Sequence, residues 1–446
     1  MKLPSDVIYL LNKFKEHNFS AFPVGGCVRD SLLCLSPKDF DLTCDALPSE
    51  ILEIFKDHKT ITLGEKFGTI GVVLNNKIFE ITTMRFEDNY LDNRHPEKIS
   101  FTKNLKEDLS RRDFTINAMA YDYVKDEIID PHGGLNDLNN HLIRTVGNPD
   151  DRFSEDALRI LRAFRFSGQL NFKIEDGTLS SICKNSPLLK NIAGERIKDE
   201  LDKILLYSSF ESLRNLYNCN VFNILLPEVH AMFKTSQNNS YHVYNVGDHS
   251  LMAVSKVKED IILKYVALFH DLGKVPTKTT GDDGVDHFYN HSEYSVELSE
   301  DILNRLRFSK KDKERILKLI KYHDTILNTK LRSIMKFVVD RQFSYEDFLF
   351  LVEMTKADIY AQNPLYLNRL EKLEEIISAY KRVYDGPHKL SDLKVNGLDM
   401  ISLGYQNQGI KNILVYLLKQ VIADPKINEK TKLLDIAEKI KDEISK

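Results

Sequence analysis

The chain's 446 residues exceed one typical domain, so about two to four are expected. Its 42% apolar and 29% charged residues are ordinary for a globular protein. The net charge of −4 argues against a coat for nucleic acid in general, though it leaves room for a local basic groove.

Five cysteines without CxxC spacing read as free thiols in a reducing compartment. No apolar run reaches membrane-spanning length, and the N-terminus lacks a signal-peptide core. Cytoplasmic residence with no membrane attachment is therefore expected. Residues 3–18 carry helical periodicity. Phe22 to Thr43 then reads as a strand, a Gly25-Gly26 turn, a helix and a second strand carrying Asp39-Phe40-Asp41-Leu42. Glycines let backbone approach a ligand closely, and a helix start just after them favours phosphate. On a strand, Asp39 and Asp41 project to one side, while Phe40 and Leu42 face the core. Paired carboxylates are costly unless a divalent cation joins them, and such oxygens suit Mg²⁺ held with nucleotide phosphates. A helix begins at Pro48. Residues 69–74 and 77–84 form a hairpin on which Glu80 points away from Phe79 and Ile81. Glu80 is either a third carboxylate of the site or a solvent-facing hairpin residue.

Residues 86–110 are polar and read as a mobile excursion. Arg111-Arg112-Asp113-Phe114-Thr115-Ile116-Asn117-Ala118 leads from charge into an apolar run. A turn at Pro131-His132-Gly133-Gly134 and a strand over 142–146 follow. From 150 onward the pattern is helical, with Ser154 expected as an N-cap, and beyond about 230 no strand pattern persists. Asp156 and Arg159 are read as i and i+3 neighbours on one helix, with Arg162 and Arg165 extending their face. By themselves they fit an ion-pair network with Glu155. Helical periodicity marks 261–272, 292–306, 311–323, 344–360, 367–384 and 411–422.

Five blocks in order carry a resemblance: Val24-Gly25-Gly26-Cys27-Val28-Arg29-Asp30, Asp39-Phe40-Asp41, Arg111 to Ala118, Glu155-Asp156-Ala157-Leu158-Arg159, and Gly194-Glu195-Arg196-Ile197. Together they resemble the class II, bacterial-type tRNA nucleotidyltransferases of the poly(A) polymerase superfamily, over roughly the first 200 residues. The resemblance implies an α+β chain. A nucleotidyltransferase head with a small mixed sheet spans 1–145, and a helical neck that binds nucleotide and RNA spans 146–230. An HD domain follows over 231–365, then a helical tail that binds tRNA over 366–446.

Asp39, Asp41 and Glu80 would be catalytic, with Mg²⁺ on the Asp pair in two-metal nucleotidyl transfer. Gly26, Arg29 and Arg112 would meet the nucleotide. Asp156 and Arg159 would read the base edge that C and A share, and Arg162 and Arg165 would extend toward the triphosphate. The implied reaction adds CCA to tRNA from CTP and ATP. Residues 86–101, with Glu87, Arg94 and Pro96, resemble the flexible loop of enzymes that add CCA or the terminal A, so A-only addition stays open.

His249, His270-Asp271 and Asp358 occur in the order of an HD phosphohydrolase, with Phe269-His270-Asp271-Leu272-Gly273-Lys274 typical of such domains. His291 and His323 are candidates to complete a metal shell. Imidazoles with carboxylates suit Mn²⁺, Ni²⁺, Fe²⁺ or Zn²⁺. Such a domain either hydrolyses phosphate esters or only helps to hold RNA, so a phosphohydrolase whose head positions RNA is the rival reading. Lys394, Lys411, Lys419 and Lys426 in the tail are candidate phosphate contacts.

Overall fold

A computed structural model describes residues 1–62, 64, 67–90 and 96–444. The fold is α+β, with strands concentrated in the first third and helices after it. The chain divides into two units: Met1–His230 with Arg305–Arg307, and Ala231–Asn304 with Phe308–Lys446.

The first unit opens with helix α1 (Ser5–Glu16), whose Val7, Leu10, Leu11 and Phe14 are buried at the spacing of one helical face. That face covers a five-stranded sheet of β1 (Ala21–Pro23), β2 (Leu42–Cys44), β3 (Lys59–Ile61), β4 (Thr69–Leu74) and β5 (Lys77–Thr83), in the order β1-β2-β5-β4-β3. The sheet is mixed, because β2 runs parallel to β5 while the other pairs are antiparallel. Leu42, Ile70, Val72, Phe79 and Ile81 point from it into the core against α1 and Phe55. Asn75 and Asn76 both take positive φ, so the β4–β5 turn matches the strand twist. Helix α2 (Gly26–Leu32) follows the Gly25 turn, and α3 (Pro48–Ile54) starts at the proline.

Several expectations change. Asp39 and Asp41 lie just before β2 rather than within it, although the extended path persists: Val24 N donates to Asp41 O at 3.0 Å. The polar excursion is an antiparallel hairpin of β6 (Arg85–Tyr90) and β7 (Pro96–Phe101), followed by α4 (Leu105–Ser110). Ladder pairing gives this segment order that its composition does not announce. Of its three expected marker residues, Glu87 and Pro96 fall on the two strands, and Arg94 lies outside the described residues.

The helix expected from Ser154 is two helices, α5 (Pro149–Glu155) and α6 (Leu158–Leu170). Asn148 caps the first, and its side chain accepts from Asp150 N at 3.1 Å. Asp156 takes φ −140 and ψ 102, so the chain is extended there. Asp156 and Arg159 therefore do not stack on one continuous helix. Helix α7 (Gly194–Tyr207) packs along α6 and carries the last sequence block. Cys183 and Cys219 are disulfide-bonded, where free thiols were expected. They are 36 residues apart and meet only through tertiary packing, which spacing does not reveal.

The second unit is helical apart from a short hairpin of Lys278–Thr280 and Asp286–Phe288, which the expectation of no strands missed. Asp286 fixes this hairpin's position, since its carboxylate accepts from Asn238 N at 2.8 Å and from the Thr280 hydroxyl at 2.7 Å. Helices Val246–Lys256, Ile261–Phe269, Lys310–Tyr322 and Tyr345–Ala361 form its centre, with buried Tyr265, Phe269, Phe348 and Leu351 between them. Among the described residues no helix is long and apolar enough to cross a membrane.

Candidate active site and metal cluster

Three carboxylates meet at one end of the head sheet. The parallel register sets Leu42 beside Ile81, so Asp41 and Glu80 are the next step along neighbouring strands. Phe79 and Ile81 are buried while Glu80 is exposed, as strand alternation demands. The Asp41 carboxyl is pushed up, first by the protein around it, then by the Glu80 and Asp39 charges, with Arg112 opposing. By accessible area Asp41 is open to solvent, so it sits at the mouth of a crowded recess rather than inside the core. Like charges held this close, with an opening to solvent, fit a divalent cation.

Beside them the Gly25 turn takes φ 73, a region that L side chains avoid. A Cβ there would lie 3.0 Å from Arg112 Nη1, so the missing side chain is what lets that guanidinium approach. Arg112 is also held by the enclosed Asp108, 3.3 Å from its Nη2, and its Nε is enclosed without a hydrogen-bond partner. Arg29, on the first turns of α2, donates to Asp30 (2.8 and 2.7 Å) and to Asn117 Oδ1 (2.7 Å).

Phe166 on α6 gathers arginines from α2 and α6. Three guanidiniums lie against its ring: Arg165 at 4.4 Å, Arg29 at 5.2 Å and Arg162 at 5.4 Å. Such contacts are worth about 0.5–2 kcal/mol each. Buried anions hold two of these arginines in place. Arg162 donates to Asp113 Oδ2 (Nε 2.8 Å, with Nη2 at 2.6 Å), and Arg165 Nη1 donates to Glu200 Oε1 at 2.9 Å. Burial opposes the charge on Asp113, but Arg162 outweighs it and holds the carboxyl down to about 2. Burial, then Arg162, lowers Arg165, which shows how crowded with positive charge this corner is.

Asp156 and Arg159 face different partners. Arg159 Nη1 donates to Glu155 Oε2 at 2.7 Å, and its Nη2 donates to Arg111 O at 3.0 Å. Asp156 accepts from Leu158 N at 3.1 Å, and its other oxygen is 3.6 Å from Arg196 Nη2. Arg196 lies in the Gly194–Ile197 block, which was noted for its resemblance alone. Sequence reading gave Asp113, Glu200 and Phe166 no role in the site. Only the RRDFT block hinted at Asp113.

In the second unit the predicted histidines and carboxylates converge. His249, His270 and Asp358 bring ligand atoms within 4.8 Å of one another, and so do Asp271, His291 and His323. His249 Nε2 is 3.0 Å from Asp358 Oδ1. His270 Nε2 is enclosed with no well-directed hydrogen bond; its nearest charged neighbour is Asp271 Oδ2 at 3.2 Å. The same Asp271 oxygen lacks a well-directed donor, although the Lys274 ammonium is 2.7 Å away. Orphaned buried atoms among imidazoles and carboxylates fit a metal ion. His242 packs on His249 at 4.9 Å, and burial pushes it down to about 3, so it is neutral. The sequence reading missed it, along with Gln362, which donates to Asp358 Oδ2 at 2.7 Å.

Family profiles match in the same order as this geometry. The "Poly A polymerase head domain" matches residues 21–144, "Probable RNA and SrmB- binding site of polymerase A" matches 171–233, and "HD domain" matches 239–379. Segment by segment, the chain is thus similar to a poly A polymerase head, an RNA-binding segment and an HD domain. Its relatives include the CCA-adding enzyme of Streptococcus gordonii, 47% identical over 207 residues (46% of this chain, 51% of the relative). Another is that of Ligilactobacillus salivarius, 51% identical over 197 residues (44% and 48%). The chain thus spans about half the length of the curated relatives it matches. The crystal structure of the Bacillus stearothermophilus CCA-adding enzyme in complex with CTP is similar throughout. It covers 100% of this chain and 99% of its own, with 25% identity and a TM-score of 0.72. The Thermotoga maritima CCA-adding enzyme complexed with tRNA shares the fold at TM-score 0.59 and 21% identity, over 98% of this chain and 95% of its own. Head and HD domains of these kinds imply dependence on divalent metal.

Proposed function

We propose that this chain adds CCA to the 3′ end of tRNA, using CTP and ATP and releasing pyrophosphate. The observation that carries the reading is that one unit holds both the Asp39–Asp41–Glu80 carboxylates, with Arg112 beside them, and the cluster of arginines around Phe166. The carboxylates would hold Mg²⁺, which would activate the RNA hydroxyl and neutralise the leaving pyrophosphate. Gly26, Arg29 and Arg112 border the place for the triphosphate, and Arg162 and Arg165 extend it. Asp156 and Arg159 are the base readers. An Asp oxygen accepts from the exocyclic amine of C and A, while G and U leave it unpaired. Arg159 is tied to Glu155, so base binding entails exchange of that partner. The tail lysines are a second contact for tRNA, except that Lys419 already pairs with Asp340 at 2.6 Å. We place the reaction in the cytoplasm, where its substrates are.

The test uses the purified full chain, labelled CTP or ATP, and tRNA ending before or after the CC. Both nucleotides should be incorporated, CTP first. Incorporation of ATP alone, and only after CC, would replace the reading by A-only addition. With Asp39→Ala and Asp41→Ala together, incorporation should fall by about 10³-fold, because Lewis-acid assistance is worth several kcal/mol. Continued extension by that double variant would overturn the site.

A second reading concerns the HD domain alone. Its histidine–carboxylate cluster favours binding of Mn²⁺, Ni²⁺, Fe²⁺ or Zn²⁺ and hydrolysis of a phosphate ester. Phosphatase activity that survives the Asp39→Ala, Asp41→Ala change and disappears in His270→Ala with Asp271→Ala is the expected pattern. No metal-dependent hydrolysis of any phosphate ester would remove it.

A further inference from the structure

We propose that Asp108 is a positioning residue for nucleotide transfer, holding Arg111 and Arg112 in register with the strands that carry the carboxylates. This rests on the reading of the head as a nucleotidyltransferase. Asp108 lies on α4, three and four residues before Arg111 and Arg112, so the turn of the helix brings all three together. It is fully buried. A side chain without exposed surface does not touch a nucleotide, so its effect on the reaction passes through its neighbours.

Both of its oxygens are engaged. Oδ1 accepts from Arg111 Nε at 3.0 Å and Nη2 at 2.6 Å, and from Arg85 N at 3.4 Å. Oδ2 accepts from Arg112 Nη2 at 3.3 Å and from the Thr43 hydroxyl at 3.3 Å. A carboxylate accepts at about four lone-pair sites, so this one is saturated. Burial opposes its charge, but Arg111 and then Arg112 outweigh burial and hold the carboxyl below its usual value.

Each neighbour leads to a different part of the site. By strand alternation Thr43 faces the same side as Asp41, and its partner Thr82 on β5 stands two residues beyond Glu80. The Thr43 hydroxyl is also 3.2 Å from Thr82 O, so Asp108 sits against both strands that carry the carboxylates. Arg112 leads to the nucleotide: it opposes the rise of the Asp41 carboxyl and lies 3.0 Å from the place of a Gly25 Cβ. Arg111 leads to the base readers, since its carbonyl accepts from Arg159 Nη2 at 3.0 Å. Removing the Asp108 charge frees the long Arg112 side chain to leave the triphosphate's place.

The test is a double-mutant cycle on the purified full chain, with labelled CTP or ATP and tRNA ending before or after the CC. Asp108→Asn keeps the shape and removes the charge. Its KM for the nucleotide should rise by about 10–100-fold, with kcat within about 3-fold and the KM for tRNA unchanged. Arg112→Ala should raise the same KM, and adding Asp108→Asn to it should change KM by less than about 3-fold. A merely structural role gives fewer active molecules, read as lower kcat at unchanged KM, and effects that multiply with those of Arg112→Ala. Thr43→Val keeps the volume and removes one donor to Asp108, so it serves as the second arm if circular dichroism shows Asp108→Asn unfolded. It should raise nucleotide KM by about 3–10-fold, again without adding to Arg112→Ala. Unchanged KM in the folded variants, or multiplying effects, overturns the positioning role and leaves the nucleotidyltransferase reading intact. A parent chain that incorporates neither CTP nor ATP overturns that reading and the role of Asp108 with it.

Discussion

Asp113 is enclosed and accepts from Arg162 Nε, Phe114 N and Asn117 Nδ2, so one carboxylate links the head to helix α6. Its pKa falls from 3.8 to about 2 on folding. A depressed carboxylate contributes stability above its unfolded value and loses it as pH falls through its folded value. The contribution here is about 2 kcal/mol above pH 3.8, vanishing by about pH 2. Asp113→Asn should therefore destabilise the first unit by about 2 kcal/mol at neutral pH and flatten its acid-unfolding limb, which chemical denaturation at several pH values measures. An equal loss at pH 7 and pH 2 would mean the effect is packing rather than charge. Gly25 offers a second test. Gly25→Ala carries about 1–2 kcal/mol of backbone strain and meets Arg112 at 3.0 Å. Nucleotide incorporation should drop further than melting temperature alone explains, while the unfolding of the second unit stays unchanged.

At the scale of elements, the break between α5 and α6 matters most. It sets Asp156 at an extended corner rather than under Arg159, with Arg196 from α7 alongside. Asp156→Ala should relax base choice, raising GTP and UTP incorporation relative to CTP and ATP by about 10–100-fold, the worth of one charge-assisted hydrogen bond. Competition assays on tRNA ending in CC read this directly, and unchanged selectivity would remove Asp156 from base reading. The break also marks the limit of sequence reading. Helical period was visible across 150–166, but the period alone does not show the break at Asp156, where the side chain accepts from Leu158 N and Arg159 reaches Arg111 O. The β4–β5 hairpin was legible because Asn75-Asn76 and the alternation of Phe79, Glu80 and Ile81 are local signals. The β6–β7 hairpin was not, since its polar composition matches a loop and only pairing reveals it. Partners such as Glu200 and Phe166 were invisible for the same reason: their roles depend on which arginines the fold delivers to them.

At the scale of the whole molecule, the chain has two units, each with its own candidate site. Ligands that bind only the folded state stabilise by RT ln(1 + [L]/Kd), about 2.7 kcal/mol at a hundredfold excess over Kd. Differential scanning calorimetry should accordingly show CTP with Mg²⁺ raising the unfolding of the first unit, and chelation lowering that of the second. Chelator that leaves both transitions in place would argue against metal in the HD cluster. Charge belongs to this scale as well. The net value of −4 hides the concentration of arginines around one ring, so the total predicted less about RNA than placement does.

That ring has a practical consequence. The chain contains no tryptophan, so its background in indole fluorescence is empty. Phe166 lies under Arg29, Arg162 and Arg165 and is almost fully enclosed. Phe166→Trp would place a single emitter where head and neck arginines meet, at an overpacking cost of about 1–3 kcal/mol. Each arrival of a nucleotide could then be followed as light, one binding event at a time, without a label on either substrate.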